Sequence, residues 1–189
     1  MIYFTSDLHF NHANIITLCD RPFRSVEEMN KTMINNWNSI VKKNDDVYVL
    51  GDFIMGKNVE DAKNFISKLN GKIHFLTGNH DKWIKNFHDK NFELLGDYHE
   101  ITYEGRKFIL CHYPFEEWNH FFRGAYHLHG HQHNKEDYNI QNINDDFRRY
   151  DVGVDANDFI PVAITEIIKK FEKTGVLETQ RREYDITIQ

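Results

Sequence analysis

Side chains able to bind a metal cation recur at the ends of apolar runs. Asp7 and His9 follow Ile2-Tyr3-Phe4, and Asp52 follows Val47-Tyr48-Val49-Leu50. Asn79 follows Lys72-Ile73-His74-Phe75-Leu76, and His112 follows Phe108-Ile109-Leu110-Cys111. His131 and His133 come after Ala125-Tyr126-His127-Leu128. Carboxylates, imidazoles and one amide, without thiolate, suit Mn, Fe, Zn, Co or Ni and fit poorly with iron–sulfur or structural zinc chemistry. Seven such groups are too many for one ion and right for two if one carboxylate bridges. Two ions about 3.5–4 Å apart share a hydroxide and clamp a phosphate for in-line attack. A histidine taken singly is more often satisfied by the backbone, and twelve in 189 residues place some together by chance. Their ordered recurrence at strand ends separates this chain from that case.

The elements that position these groups are legible from pattern. Short runs rich in Val, Ile, Phe and Leu closed by polar turns read as buried strands, and Gly78-Asn79-His80-Asp81 is the sharpest such turn. Asp7 and His9 are two apart, which on a strand end points both to one side. His12 and Asn14 overhang the same mouth, as substrate contacts or as loop polarity and a helix cap. Ser25-Val26-Glu27-Glu28 is a capping box opening a helix with Val26, Met29, Met33, Trp37, Ile40 and Val41 on its packing face. Arg21, in the turn Arg21-Pro22-Phe23-Arg24, offers a fork of donors to a phosphate or is simply solvated. Asn58 caps a second helix, with Val59, Ala62, Phe65, Ile66 and Leu69 buried and Gly71 as its stop. Strand, helix, strand is a right-handed crossover, so Asp52 and Asn79 share one sheet edge.

Further on, Lys82 to Asp89 reads as a short helix. Tyr98–Tyr103 and Lys107–Cys111 form a hairpin about Glu104-Gly105-Arg106, marking a change from crossovers to antiparallel strands. The aromatic segment Phe115 to Gly124, with Trp118, packs on the sheet or walls a pocket. Asn139 to Arg149 reads as a surface excursion, Tyr150 to Val154 as a strand, and Pro161 as the start of a helix carrying Val162, Ile164, Ile167, Ile168 and Phe171. The tail from Lys173 is charged, with weak alternation at Tyr184, Ile186 and Ile188 that suits an edge strand.

The length fits one domain over residues 1–189. A net charge of -6 argues against binding long nucleic acid and leaves a small phosphorylated ligand open, since a bound dication supplies the positive field locally. Cys19 and Cys111 read as buried free thiols of a reducing compartment. Met1 leads straight into a strand, and no apolar run approaches the roughly 18 residues of a membrane span, so the expectation is a cytoplasmic protein with no membrane role. Sequence leaves the oligomeric state open.

The series Asp7-x-His9, Gly51-Asp52, Gly78-Asn79-His80-Asp81, His112 and Gly130-His131-x-His133 resembles the calcineurin-like metallophosphoesterase superfamily in order and spacing, and Arg21-Pro22-Phe23 is similar to its small stand-alone bacterial and phage members. The resemblance implies an α/β fold, a four-layer α-β-β-α sandwich with mixed sheets and the metals at strand ends. It implies that Asp7, His9 and His133 bind one metal, that Asn79, His112 and His131 bind the other, and that Asp52 bridges them. It further implies attack by a bridging hydroxide, with His80 contacting the phosphate or protonating the leaving oxygen; Asn79, His12 and Arg21 are the expected substrate contacts. The cofactors expected are two divalent ions, Mn first. In the protein-phosphatase branch the Gly-Asp motif continues with an acidic residue that orients the histidine matching His80, then an arginine that holds phosphate. Met55 and Gly56 stand there in this chain, and a thioether neither accepts a bond from an imidazole nor favours its cation. The expected substrate is therefore a phosphodiester, small or nucleotide-derived. A monoesterase or nucleotide pyrophosphatase comes second, and a non-catalytic scaffold of the same fold is the reading from another class.

Overall fold

A computed structural model describes residues 1–56, 58–84, 87 and 89–172. Five strands form one sheet in the order β4-β3-β2-β1-β9: β1 (Ile2–Thr5), β2 (Asp46–Val49), β3 (Lys72–Leu76) and β4 (Phe92–Gly96) run parallel, and β9 (Val162–Ala163) is antiparallel to β1. A second sheet has the order β5-β6-β7-β8, from β5 (Tyr98–Tyr103), β6 (Arg106–Cys111), β7 (Tyr126–His129) and β8 (Arg149–Asp151). Only β5 and β6 in this sheet are antiparallel. Their two-residue turn has Glu104 at φ 49° and Gly105 at φ 75°, the left-handed pair that matches strand twist. The chain then returns to crossovers, contrary to the antiparallel continuation expected after the hairpin.

Two apolar layers hold the sheets. Val47, Val49, Ile73 and Phe75 face α2 (Val26–Ile40) and α3 (Val59–Ile66), meeting Met29, Met33, Trp37, Ala62 and Phe65. Phe4, Leu50 and Leu76 on the other face pack against Phe108, Leu110, Tyr126 and Leu128 of the second sheet, with Ile164, Ile167, Ile168 and Phe171 of α5 (Ile164–Glu172) completing that layer. Outside the second sheet lie α4 (Glu136–Asn144) and the aromatic segment, where Trp118, Phe121 and Phe147 pack on Ile109 and Ala125. This is the expected α-β-β-α arrangement. Trp118 is buried and packs on the sheet, and it also lines a shallow pocket with the rest of segment 117–123. No helix among the described residues is long and apolar enough to cross a membrane.

Capping chemistry explains the first long helix. Ser25 Oγ accepts from the Glu28 amide at 3.2 Å, but the Glu28 carboxylate reaches past Ser25 to the Arg24 amide at 2.8 Å. A short helix, α1 (Ala13–Leu18), starts one residue before the expected cap: His12 is its N-cap, without a side-chain capping bond, and Asn14 is inside it.

Three readings are corrected and one strand is added. Residues 139–149 are no excursion, because their first part belongs to α4, whose buried face is polar. Asn139 donates to the Asp151 carbonyl at 2.9 Å and accepts from the Asp151 amide at 2.8 Å, substituting for a strand partner at the edge of β8. Val162 pairs with Phe4 in β9 and is not on the helix that follows. β4, for which the sequence held no reading, is an edge strand with Glu93 and Leu94 exposed. Cys19 is half-buried, whereas Cys111 is buried, and both thiols are free. Lys82 and Trp83 lie in a turn; the remainder of the expected 82–89 helix falls partly outside the described residues, and the tail from Lys173 wholly so.

Candidate metal centre

The carboxyl ends of the two sheets are stitched together where the polar clusters meet. The Asp7 amide donates to the Gly51 carbonyl at 3.1 Å, the His9 amide to Asp52 at 2.9 Å and the Phe10 amide to Phe53 at 3.0 Å, so the segments after β1 and β2 run side by side. Ser6 bridges to Gly153 beyond β8, joining the first sheet to the second. Leu8 and Phe10 drop into the core, which leaves Asp7 and His9 on the opposite side. The period-two explanation of that pairing is corrected: β1 has ended, and Asp7 (φ 58°) and His9 (φ 49°) hold left-handed backbone. Asp52 (φ 54°), His131 (φ 74°) and His133 (φ 51°) do the same. Non-glycine residues held there cost of order 1 kcal/mol each and cluster at functional sites.

Asp52 lies at the middle. Its Oδ2 is 3.5 Å from His9 Nε2, 3.6 Å from His112 Nε2 and 4.0 Å from His80 Nε2. On one side, Asp7 Oδ1 is 4.0 Å from both His9 Nε2 and His133 Nε2. On the other, Asn79 Oδ1 is 3.0 Å from His112 Nε2 and 3.1 Å from His131 Nδ1. Asp7 Oδ1 and His9 Nε2 are fully buried and have no hydrogen-bond partner. Such orphans are costly in a closed interior, and both aim at the same space. The Asp7, His9 and His133 donors lie within 4.8 Å of one another, as do those of Asp7, Asp52 and His112. The donor set therefore fits a divalent cation, and the structure brings all seven expected ligands together around Asp52.

The ring nitrogens turned away from the centre are held by other groups. His112 Nδ1 donates to the Leu50 carbonyl at 2.7 Å, and His133 Nδ1 bonds Asp155 Oδ2 at 2.8 Å. Burial first, and neighbouring histidines after it, hold His9 down to about 2, so it is a neutral donor. Burial pushes Asp7 up to about 6, against the opposing pull of His112 and His133. Burial is the largest single influence on His133 and depresses it, but the bonds to Asp155 and Cys19 and the charges of Asp7 and Cys19 together outweigh it and carry the imidazole up to about 10. A cation there must displace a proton from that ring.

His80 is half-buried, its ring 5.3 Å from that of His9 and 6.4 Å from that of His12. The His80 amide donates to Asp52 Oδ1 at 2.8 Å, so its backbone holds Asp52 while its ring faces outward. His12 sits at the mouth with Nδ1 3.4 Å from His9 Nδ1. Met55 is exposed and offers His80 no acceptor.

Arg21 is the misplaced candidate. Its side chain is fully buried: Nε and Nη2 donate to the two Asp155 oxygens at 3.0 and 2.8 Å, and the remaining donors reach the Asp7 and Leu8 carbonyls and Met29 Sδ. It stands behind the ligands, with no donor left for a phosphate. Three functional groups went unassigned in the sequence reading. Asp81 accepts from the amides of Asp52, Phe53 and Gly78 and from the Trp83 indole, at 2.6–3.1 Å, closing two ligand loops with one carboxylate. Asp155 is the second. Cys19, whose thiol lies within 4.8 Å of donors of His133 and Asp155, is the third. The Gly-Asn-His-Asp motif contained a signal for Asp81; nothing local marked Asp155. Gly78 and Gly130 are required by contact: a Cβ on Gly78 would lie 2.2 Å from Asp52 Oδ1, and one on Gly130 2.2 Å from Asp7 Oδ2.

Residues 1–147 match the calcineurin-like phosphoesterase superfamily domain. An uncharacterized protein of Methanocaldococcus jannaschii is 42% identical over 179 residues, covering 94% of this chain and 95% of that one. The gene 66 protein of Mycobacterium phage D29 is 26% identical over 200 residues, covering 91% of this chain and 98% of that protein. Among solved structures, a protein of unknown function from Aquifex aeolicus superposes with a TM-score of 0.68 at 27% identity, covering 89% of this chain and 98% of its own.

Proposed function

Because the chain belongs to the calcineurin-like phosphoesterase superfamily, we propose that it hydrolyses a phosphodiester of a small or nucleotide-derived substrate with two divalent ions, manganese foremost. The observation that carries this reading is Asp52 Oδ2, buried and facing His9 on one side and His112 on the other, beside the orphaned Asp7 Oδ1 and His9 Nε2. Asp7, His9 and His133 would hold one ion, Asn79, His112 and His131 the other, and Asp52 both. Bound ions of this kind supply Lewis acidity to water and phosphate.

The chain's own groups do the rest. The interior of the site is closed by apolar Leu8 and Phe10 beneath it, so charge on the substrate is felt in a low dielectric. His80 stands over the Asp52 carboxylate from the open side and is placed to donate to a phosphate oxygen or the leaving oxygen. His12, beside His9, adds a second donor at the mouth. Met55 stands where an acidic partner would orient His80 and offers its ring no acceptor, which suits diesters with good leaving groups over phosphoproteins.

The test is turnover of purified protein, with Mn(II) added, on matched diester and monoester model compounds; the diester is expected to react faster, and faster monoester turnover reverses the assignment. His80→Ala is expected to lower the rate and keep bound metal, whereas Asp52→Ala loses both. Equal metal loss in the two variants would show their roles to be misassigned.

A further inference from the structure

We infer that Asp155, clamped by Arg21, is the positioning residue that fixes which nitrogen of His133 is offered to a metal ion; this rests on the reading of Asp7, His9 and His133 as one ion's ligands. An imidazole can donate its lone pair to a cation from one nitrogen only if the proton sits on the other, and an acceptor at that other nitrogen decides the matter. His133 Nδ1 is 2.8 Å from Asp155 Oδ2, and His133 Nε2 faces Asp7 Oδ1. The Asp155 side chain is fully buried, in a short 3-10 turn, Val154–Ala156, that begins at Gly153.

The clamp is two-handed. Arg21 occupies both Asp155 oxygens and also donates to the Asp7 and Leu8 carbonyls, at 2.7 and 3.1 Å. One guanidinium thus ties the segment that carries Asp7 and His9 to the carboxylate that orients His133, although Arg21 and Asp155 are 134 residues apart. Lys135 Nζ, 3.8 Å from Asp155 Oδ1, adds a second cation around the same carboxylate. A buried ion pair is a poor source of stability against an apolar pair of the same shape, so a requirement for orientation accounts for its presence here better than stability does. Asp155 also lies beyond residues 1–147, so the later part of the chain finishes a site whose proposed ligands all come earlier.

Asp155→Asn separates positioning from bulk structure. Asp155 Oδ2 accepts from both Arg21 Nη2 and His133 Nδ1; an NH2 group there would present donors to both and drive the His133 proton onto Nε2, where the ion belongs, and an amide oxygen there would be a neutral, weaker acceptor than the carboxylate. Calorimetric titration with Mn(II) is expected to show one of two binding events weakened about 10–100-fold and the other unchanged. Since this variant leaves Arg21 short of a counter-charge, the double variant Arg21→Gln/Asp155→Asn, with no lone buried charge, is titrated beside it with the same expectation. Nitrogen-15 NMR of the Zn(II)-loaded wild type is expected to show the His133 proton on Nδ1. A proton on Nε2, or either folded variant with both affinities within about twofold of wild type, overturns the proposal. Lowered stability with both affinities intact also overturns it, by reducing Asp155 to a structural role. A wild type that binds no divalent ion overturns the metal-site reading itself, and this inference falls with it.

Discussion

One short segment holds four histidines spaced by two, and they divide into two kinds. His127 and His129 are on β7, fully buried, with both ring nitrogens engaged: His127 donates to the Ile109 carbonyl at 3.2 Å and accepts from the Phe115 amide at 3.0 Å. His129 donates to the Gly130 carbonyl at 2.9 Å and accepts from the Tyr138 hydroxyl at 3.0 Å. His131 and His133 lie just past the strand on left-handed backbone, each with a nitrogen turned to the Asp7–Asp52–Asn79 centre. Residue type and spacing are the same in both pairs. Strand backbone surrounds a histidine with partners that exhaust it, whereas the left-handed turn after Gly130 takes the next two out of the ladder and leaves a nitrogen free for a cation.

The contrast is open to direct attack. His133→Ala is expected to cost on the order of a thousandfold in turnover and one equivalent of bound metal, with little change in the melting temperature of the metal-free protein. Metal analysis and calorimetric melting check both halves. His127→Ala should do the reverse: a loss of about 2–3 kcal/mol in denaturant unfolding, from unpaired Ile109 and Phe115 backbone groups and the ring stacked on Phe115, with two metals retained. A metal-depleted but stable His127→Ala protein would erase the distinction. Gly130→Ala, at the boundary, is expected to weaken metal binding about tenfold by pushing its Cβ against the Asp7 carboxylate, as read by titration with Mn(II).

The smallest effect is in pH. Burial holds His127 down to about 3 and His129 to about 4, from 6.5. Below pH 6.5 the unfolded chain takes up protons that the folded chain refuses, so stability falls as pH drops from 6.5 towards 4, by up to about 1.4 kcal/mol per pH unit for each histidine. Urea midpoints of metal-free protein across that range measure the slope. His129→Phe should flatten it; an unchanged slope would mean that His129 does not titrate as its surroundings require.

The fold and the convergence of the seven polar groups were legible because both rest on local pattern. Apolar runs closed by Gly-Asp, Gly-Asn or Gly-His mark strand ends, and parallel strands put those ends on one edge. What escaped reading depended on distance or on polar burial. Arg21 beside proline looked solvated, since its partner Asp155 is far along the chain. α4 gave no apolar stripe, because Asn139 and Asn142 supply its buried face. Val162 suited the helical face because it is apolar and follows Pro161, although a residue two before Ile164 lies on the opposite side of a helix and on the same side of a strand. Asp7 and His9 were paired correctly for a mistaken reason, their convergence coming from backbone twist beyond the strand.

Asp81 accepts four bonds, from three loop amides and an indole, all of them turned to the chain. The cradle thus has a shape set by the polypeptide before any guest arrives, and an incoming ion sheds water without organising the chain. A mould set in advance leaves a guest's binding free energy for coordination, with none drawn off to order the loops.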